Sequence, residues 1–214
     1  MAQTITIFYG AAARDDAQAV SLRRGVPLRL SDGPYPFAEP PDLIRLATTA
    51  ARLDFLCEHL RSLCGLWAKS PLQFLDAYFA WIGATLAAAP VQRALVEAGH
   101  GLFAPEDWSF AALRPLPSAL LPAGDATVRV DFAFWTGASF IAVELPGERR
   151  ARRRGELALL TETGVTVLEL ASGDLADAAA LDAKLPADFA AFWRGVPLPR
   201  SPFGVRDLTI VPAR

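Results

Sequence analysis

The stretch from Thr127 to Leu170 leaves few folds open to this chain. Between Thr127 and Trp135, Val128, Val130, Phe132 and Phe134 fall on one side and Arg129, Asp131, Ala133 and Trp135 on the other. That period of two belongs to an extended strand. Thr136-Gly137-Ala138-Ser139 reads as a turn, and Phe140–Leu145 turns Ile141, Val143 and Leu145 to one face. A helical pattern follows over Glu148–Thr163, stopped by Gly164 just past its end, and then a short apolar strand, Val165–Leu170. A hairpin, a crossover helix and a further strand predict an α/β fold with a mixed central β-sheet flanked by helices.

The rest of the chain is read around that unit. QTITIFY, residues 3–9, alternates and predicts a strand, and residues 10–41 are rich in glycine and proline and read as loop. Asp42 caps a helical pattern that ends near Gly65. A second helix is expected from Ser70-Pro71, with Ser as N-cap and Pro at the first helical position, and a short one over Val91–Ala98. Residues 100–126 read as a Pro- and Gly-rich approach to the alternating strand. The division expected is residues 1–66 as an N-terminal strand and helical elaboration, 67–172 as the core, and 173–214 as a C-terminal helix and extended tail.

Composition removes several function classes. With 214 residues and 52% hydrophobic content the chain has ample material for a core. A formal net charge of −2 argues against a generic polyanion binder. No signal peptide is visible near Met1, and the apolar run from Ala77 to Ala89 is too short to span a bilayer. A cytoplasmic protein without a membrane partner is the expectation. Cys57 and Cys64 stand about 10 Å apart along one helix, too far for an intrahelical disulfide. With His59 and His100 as the only histidines, no zinc constellation of ordinary spacing can be written.

Chemistry concentrates in the hairpin. A four-residue loop over 136–139 pairs Trp135 with Phe140, Phe134 with Ile141, Phe132 with Val143 and Val130 with Leu145, giving one apolar face. The same register sets Asp131 directly opposite Glu144. Opposed carboxylates destabilise a sheet, so the pair calls for a proton, a cation or an arginine. A hard divalent ion with oxygen ligands answers it productively. Arg129, on the same face and diagonal to Glu144, answers it as a purely structural ion cluster.

These residues resemble a family. A helix opening Ser70-Pro71, a strand carrying Arg129-x-Asp131-Phe132, and a strand reading Ile141-Ala142-Val143-Glu144-Leu145 are similar to the PD-(D/E)XK nuclease superfamily. The likeness is to its small restriction-endonuclease-like members related to very-short-patch repair enzymes, over roughly 70–170. The resemblance implies an αβββαβ core, Mg²⁺ or Mn²⁺ as cofactor, and hydrolysis of DNA phosphodiesters. Asp131 matches the metal-binding Asp, Glu144 the second acidic residue, and Leu145 the residue that offers its carbonyl to the metal. Two positions depart from the pattern. Gln73 stands where Ser-Pro-x-Glu would put a carboxylate, and Pro146 stands where Glu-x-Lys would put the lysine. Arg129 and Lys69 are the substitutes in reach, although arginine is a poor proton acceptor. The resemblance therefore also admits an inactive relative that binds nucleic acid or a protein partner.

The run Arg149, Arg150, Arg152, Arg153 and Arg154 falls in the first turns of the crossover helix, where positive charge opposes the helix dipole. It reads as a grip on backbone phosphates or as a solvated face paired with nearby acids. The aromatic residues read mainly as core or interface. Phe189, Phe192 and Trp193 suggest a C-terminal surface for a protein partner or a homodimer, and Trp135 stands on the carboxylate-bearing face.

Overall fold

The computed structural model describes residues 4–10, 18–32, 48–65, 69–98, 102–147, 154–186, 189 and 202. β1 (Thr4–Tyr9) is the expected first strand. It pairs antiparallel with β2 (Gln18–Arg23), a strand within the segment read as loop. β2 buries only Leu22 fully, so its alternation is too shallow to outweigh the surrounding glycines and prolines. Helix α1 (Thr49–Ser62) starts behind Thr48, whose hydroxyl accepts from the Ala51 N–H at 3.2 Å. Asp42, the expected cap, lies outside the described residues.

Helix α2 (Lys69–Ala87) opens one residue ahead of Ser70-Pro71, so Ser70 lies inside the first turn instead of capping it. Pro71 is tolerated there because first-turn N–H groups have no intrahelical acceptor. The helix buries Phe74, Leu75, Tyr78, Trp81, Ile82 and Leu86. α3 (Ala89–Ala98) continues after a 73° bend. Among the described residues no single helix is long and apolar enough to cross a membrane.

The expected single strand over 127–135 is bent into two. β3 (Leu116–Pro117), β4 (Leu120–Ala123), β5 (Ala126–Arg129) and β6 (Phe132–Trp135) make one long hairpin on one register, from Ala123–Ala126 through Leu120–Arg129 to Leu116–Ala133. The bend lies at Ser118, which has φ 50°, a left-handed conformation uncommon outside glycine. The backbone stays bonded across it: Ser118 N–H donates to the Asp131 carbonyl at 2.7 Å, and Val130 N–H to Ala119 at 2.9 Å. One half of the hairpin therefore joins β1 and β2, in the order β2-β1-β4-β5. The other joins β7 (Phe140–Glu144) and β8 (Thr166–Glu169), in the order β3-β6-β7-β8. Among the described residues, the expected single central sheet is thus two four-stranded sheets, one antiparallel and one mixed.

β6 and β7 pair in the expected register, Trp135–Phe140 through Phe132–Val143. Helix α4 (Arg154–Glu162) and Gly164 (φ 84°) carry the chain back to β8, which lies parallel to β7. Helix α5 (Ala178–Asp182) packs on α2, where Trp81 Nε1 donates to Asp182 Oδ1 at 2.8 Å. Two cores result. Phe132, Phe134, Ile141 and Val143 face α2, whereas Ala133, Trp135, Phe140 and Ala142 face α4 and the antiparallel sheet.

Candidate functional site

Asp131 and Glu144 stand one residue past the last pair of the hairpin register, Phe132–Val143, at the edge of β6 and the end of β7. Asp131 is half-buried, and its Oδ2 accepts the Leu145 backbone N–H at 2.8 Å. Glu144 is 3% exposed, and its carbonyl accepts the Leu170 N–H at 2.9 Å. The backbone thus fixes both acidic residues, although neither is on a regular stretch of paired strand at both sides.

A third carboxylate joins the row. The parallel register sets Glu169 of β8 beside Glu144, so Asp131, Glu144 and Glu169 stand at one end of three neighbouring strands. Glu169 escaped the sequence reading because the length of a crossover helix does not fix the register of the strand after it. Among the described residues no group of three or more His, Cys, Asp or Glu side chains is placed to hold a metal ion. What the site offers is the Asp131–Glu144 pair, with the Leu145 N–H bonded to Asp131.

The other expected residues distribute as follows. Gln73 is exposed on the first turns of α2, and no hydrogen bond joins it to either carboxylate among the described residues. Arg129 belongs to the antiparallel sheet, opposite Leu120. Its Nη1 donates to the Ser118 hydroxyl at 2.8 Å and to the Ser118 carbonyl at 3.4 Å. The position opposite Pro146 that an unbent strand would give it is lost, because the bend carries it into the other sheet. Lys69 is exposed at the start of α2, and its neighbour Ser70 has its hydroxyl 3.4 Å from the Pro146 carbonyl. The α2 start and the residue in the motif-lysine position are therefore adjacent. Arg154 opens α4, whereas Arg149, Arg150, Arg152 and Arg153 lie outside the described residues, as do Phe192 and Trp193.

Cys64, just past the end of α1, is 8% exposed. Burial pushes its thiol up to about 12, the Arg61 charge opposes this, and the Asp131 charge adds to it. That thiol is neutral at physiological pH and is no nucleophile. Trp135 is 3% exposed and packs against Phe140 in a tilted arrangement, with ring centres 4.7 Å apart. Its Nε1 donates to the carbonyls of Arg23 and Val26. Both rings line an open cavity of about 350 Å³ with Arg24 and Gly164 at its edge. That cavity is at the turn end of the hairpin, away from the carboxylate pair.

Comparison with known protein families, with curated proteins and with solved structures found no match to this chain.

Proposed function

We propose that the chain is a restriction-endonuclease-like protein that hydrolyses DNA phosphodiesters with Mg²⁺ or Mn²⁺ held by Asp131 and Glu144. The observation that carries the reading is that both carboxylates stand one residue past the Phe132–Val143 pair, with Asp131 fixed by the Leu145 N–H at 2.8 Å. The order of elements supports it. With each strand of the bent hairpin counted once, the chain after α2 and α3 runs β, β, β, α, β, and the last strand is parallel to the third.

The donor set suits a hard divalent ion, which takes one or two carboxylates and completes its shell with water and phosphate oxygens. Leu145 would add its carbonyl. When bound, such an ion polarises a phosphoryl oxygen and lowers the pKa of a bound water. Asp131 keeps its aim through the Leu145 N–H, and burial of Glu144 keeps competing water from that carboxylate. Charge on the phosphate falls to Lys69, whose helix start touches Pro146. Arg129 is engaged by Ser118. The arginines at 149–154 would extend the contact along the backbone phosphates.

A second reading is a non-cleaving relative that binds DNA or a protein partner. Pro146, with no side-chain donor, and Arg129, held by Ser118, favour it. Nicking of supercoiled plasmid with Mg²⁺ or Mn²⁺ separates the two. The enzyme reading expects nicking by wild type, its loss in Glu144→Gln and Asp131→Asn, and a drop of about 10²-fold or more in Lys69→Ala. No nicking by wild type with either metal, or equal nicking by Glu144→Gln, would overturn it.

A further inference from the structure

The antiparallel sheet has one covered face and one open face. Ile7, Tyr9, Leu22, Leu121 and Val128 pack with Leu157 and Leu160 of α4. Alternation turns the intervening residues the other way, and the register carries that second face across all four strands. Ala19 pairs with Phe8, Phe8 with Leu120, and Leu120 with Arg129, a row that crosses the sheet from edge to edge. Further rows set Thr6 beside Ser21, Thr4 beside Arg23 and Pro122 beside Thr127. All of these residues are exposed except Leu120, which is half-buried.

Two observations decide what such a face would hold. The first is Phe8, 49% exposed on an interior strand whose other outward residues are threonines. One exposed apolar side chain is ordinary on a protein surface and means little by itself. The second is charge. No Asp or Glu stands in any of the four strands, although the chain has 23 acids against 21 bases. Their charges are Arg23 and Arg129, both exposed and both on the open face. Arg129 spends Nη1 on Ser118 and keeps Nε and Nη2 for another acceptor.

Arg129 stands two strands from Phe8, about 10 Å away. Arg23 stands one strand over on the opposite side and four residues along, about 14 Å away. Cations thus flank an exposed ring on an acid-free sheet. Single strands of nucleic acid are held by that combination: a base stacks on the ring, and the backbone phosphates meet the cations. A duplex keeps its bases stacked inside and offers the ring nothing. A protein interface would want a larger apolar centre than one ring and a half-buried leucine. We propose that the open face of the antiparallel sheet binds single-stranded nucleic acid, with a base stacked on Phe8 and phosphates on Arg23 and Arg129. The face does not rest on the carboxylate pair or on cleavage there.

Fluorescence anisotropy of a labelled oligothymidylate of about 15 nucleotides, with the full chain and EDTA in place of metal, tests the face apart from any cleavage. The expected result is saturable binding that weakens as salt rises, with a duplex of the same length competing roughly 10-fold less well. Phe8→Ala removes only an exposed ring and should weaken binding roughly 10-fold. Arg23→Ala should lower the slope of log K against log salt by about 0.7. A duplex that competes as well as the single strand, or unchanged binding by Phe8→Ala, would assign the contact to charge elsewhere on the chain and overturn the proposal. Absence of binding overturns it too and leaves the face to a partner of another kind. Plasmid nicking, measured separately, bears only on the carboxylate pair.

Discussion

At the scale of single residues, burial does most of the work on charge. Solvent is withdrawn from Glu144, Arg114 and His59 to different degrees, and the imidazole shows the effect on its proton affinity. Burial holds the His59 pKa below its ordinary value near 6.5, and the Arg114 charge lowers it further. Between the depressed folded value and 6.5 the unfolded chain binds more protons than the folded one, so stability rises with pH there. The contribution is complete above pH 6.5 and is lost as pH falls through the folded value. Urea unfolding between pH 7.5 and 5 should therefore show a wild-type ΔG that falls on acidification and a flatter curve for His59→Gln. Parallel curves would refute the assignment. Of the residues in the candidate site, Asp131 and Glu144 were legible because a period of two and a loop length bring the two strand ends together. Outside it, the burial of Arg114 was not legible: Leu113-Arg114-Pro115 lies in a segment without periodicity, and nothing local tells a buried arginine from an exposed one.

At the scale of elements, the bend at Ser118 explains what the sequence conceals. Alternation from Thr127 to Trp135 continues across Val130–Asp131 because a bend that keeps the register leaves the period intact. The hairpin was therefore legible and its division between two sheets was not. That division moves Arg129 from the carboxylates to Ser118. The turns show how tightly the second sheet is docked. Gly25 N–H donates to the Gly137 carbonyl at 2.7 Å, and a Cβ on Gly137 would stand 3.0 Å from the Pro27 nitrogen and 3.1 Å from the Val26 carbonyl carbon. Gly137 also has φ 93°, whereas Gly124, at φ 63°, faces open space. Gly124→Ala should cost only the left-handed strain, about 1–2 kcal/mol. Gly137→Ala adds a backbone collision and should cost roughly 3 kcal/mol or more. Equal losses for the two in denaturant unfolding would show that the turn relaxes away from Pro27.

For the molecule as a whole, the question is whether two cores make two folding units. The clusters are distinct in their members: Phe134 packs with Phe74, Tyr78 and Phe189 on one side, and Leu121 with Ile7, Tyr9 and Trp135 on the other. They nonetheless share covalent and hydrogen-bonded ground. Successive residues of β6 and β7 enter opposite cores, so neither core can lose these strands without exposing the other. The bent hairpin repeats the link, since its two halves serve the two sheets on one unbroken register. Coupling of this kind predicts a single cooperative transition. Phe134→Ala should cost about 3–5 kcal/mol and Leu121→Ala about 2–5 kcal/mol. Each should shift tryptophan fluorescence and far-ultraviolet circular dichroism together. Trp81 and Trp108 belong to the first core and Trp135 to the second, so fluorescence samples both. If Leu121→Ala instead separates the two signals, with an early change at Trp135 and helices retained, the antiparallel sheet folds as its own unit. The hairpin would then act as a hinge, and the carboxylate pair beside the bend would inherit its motion.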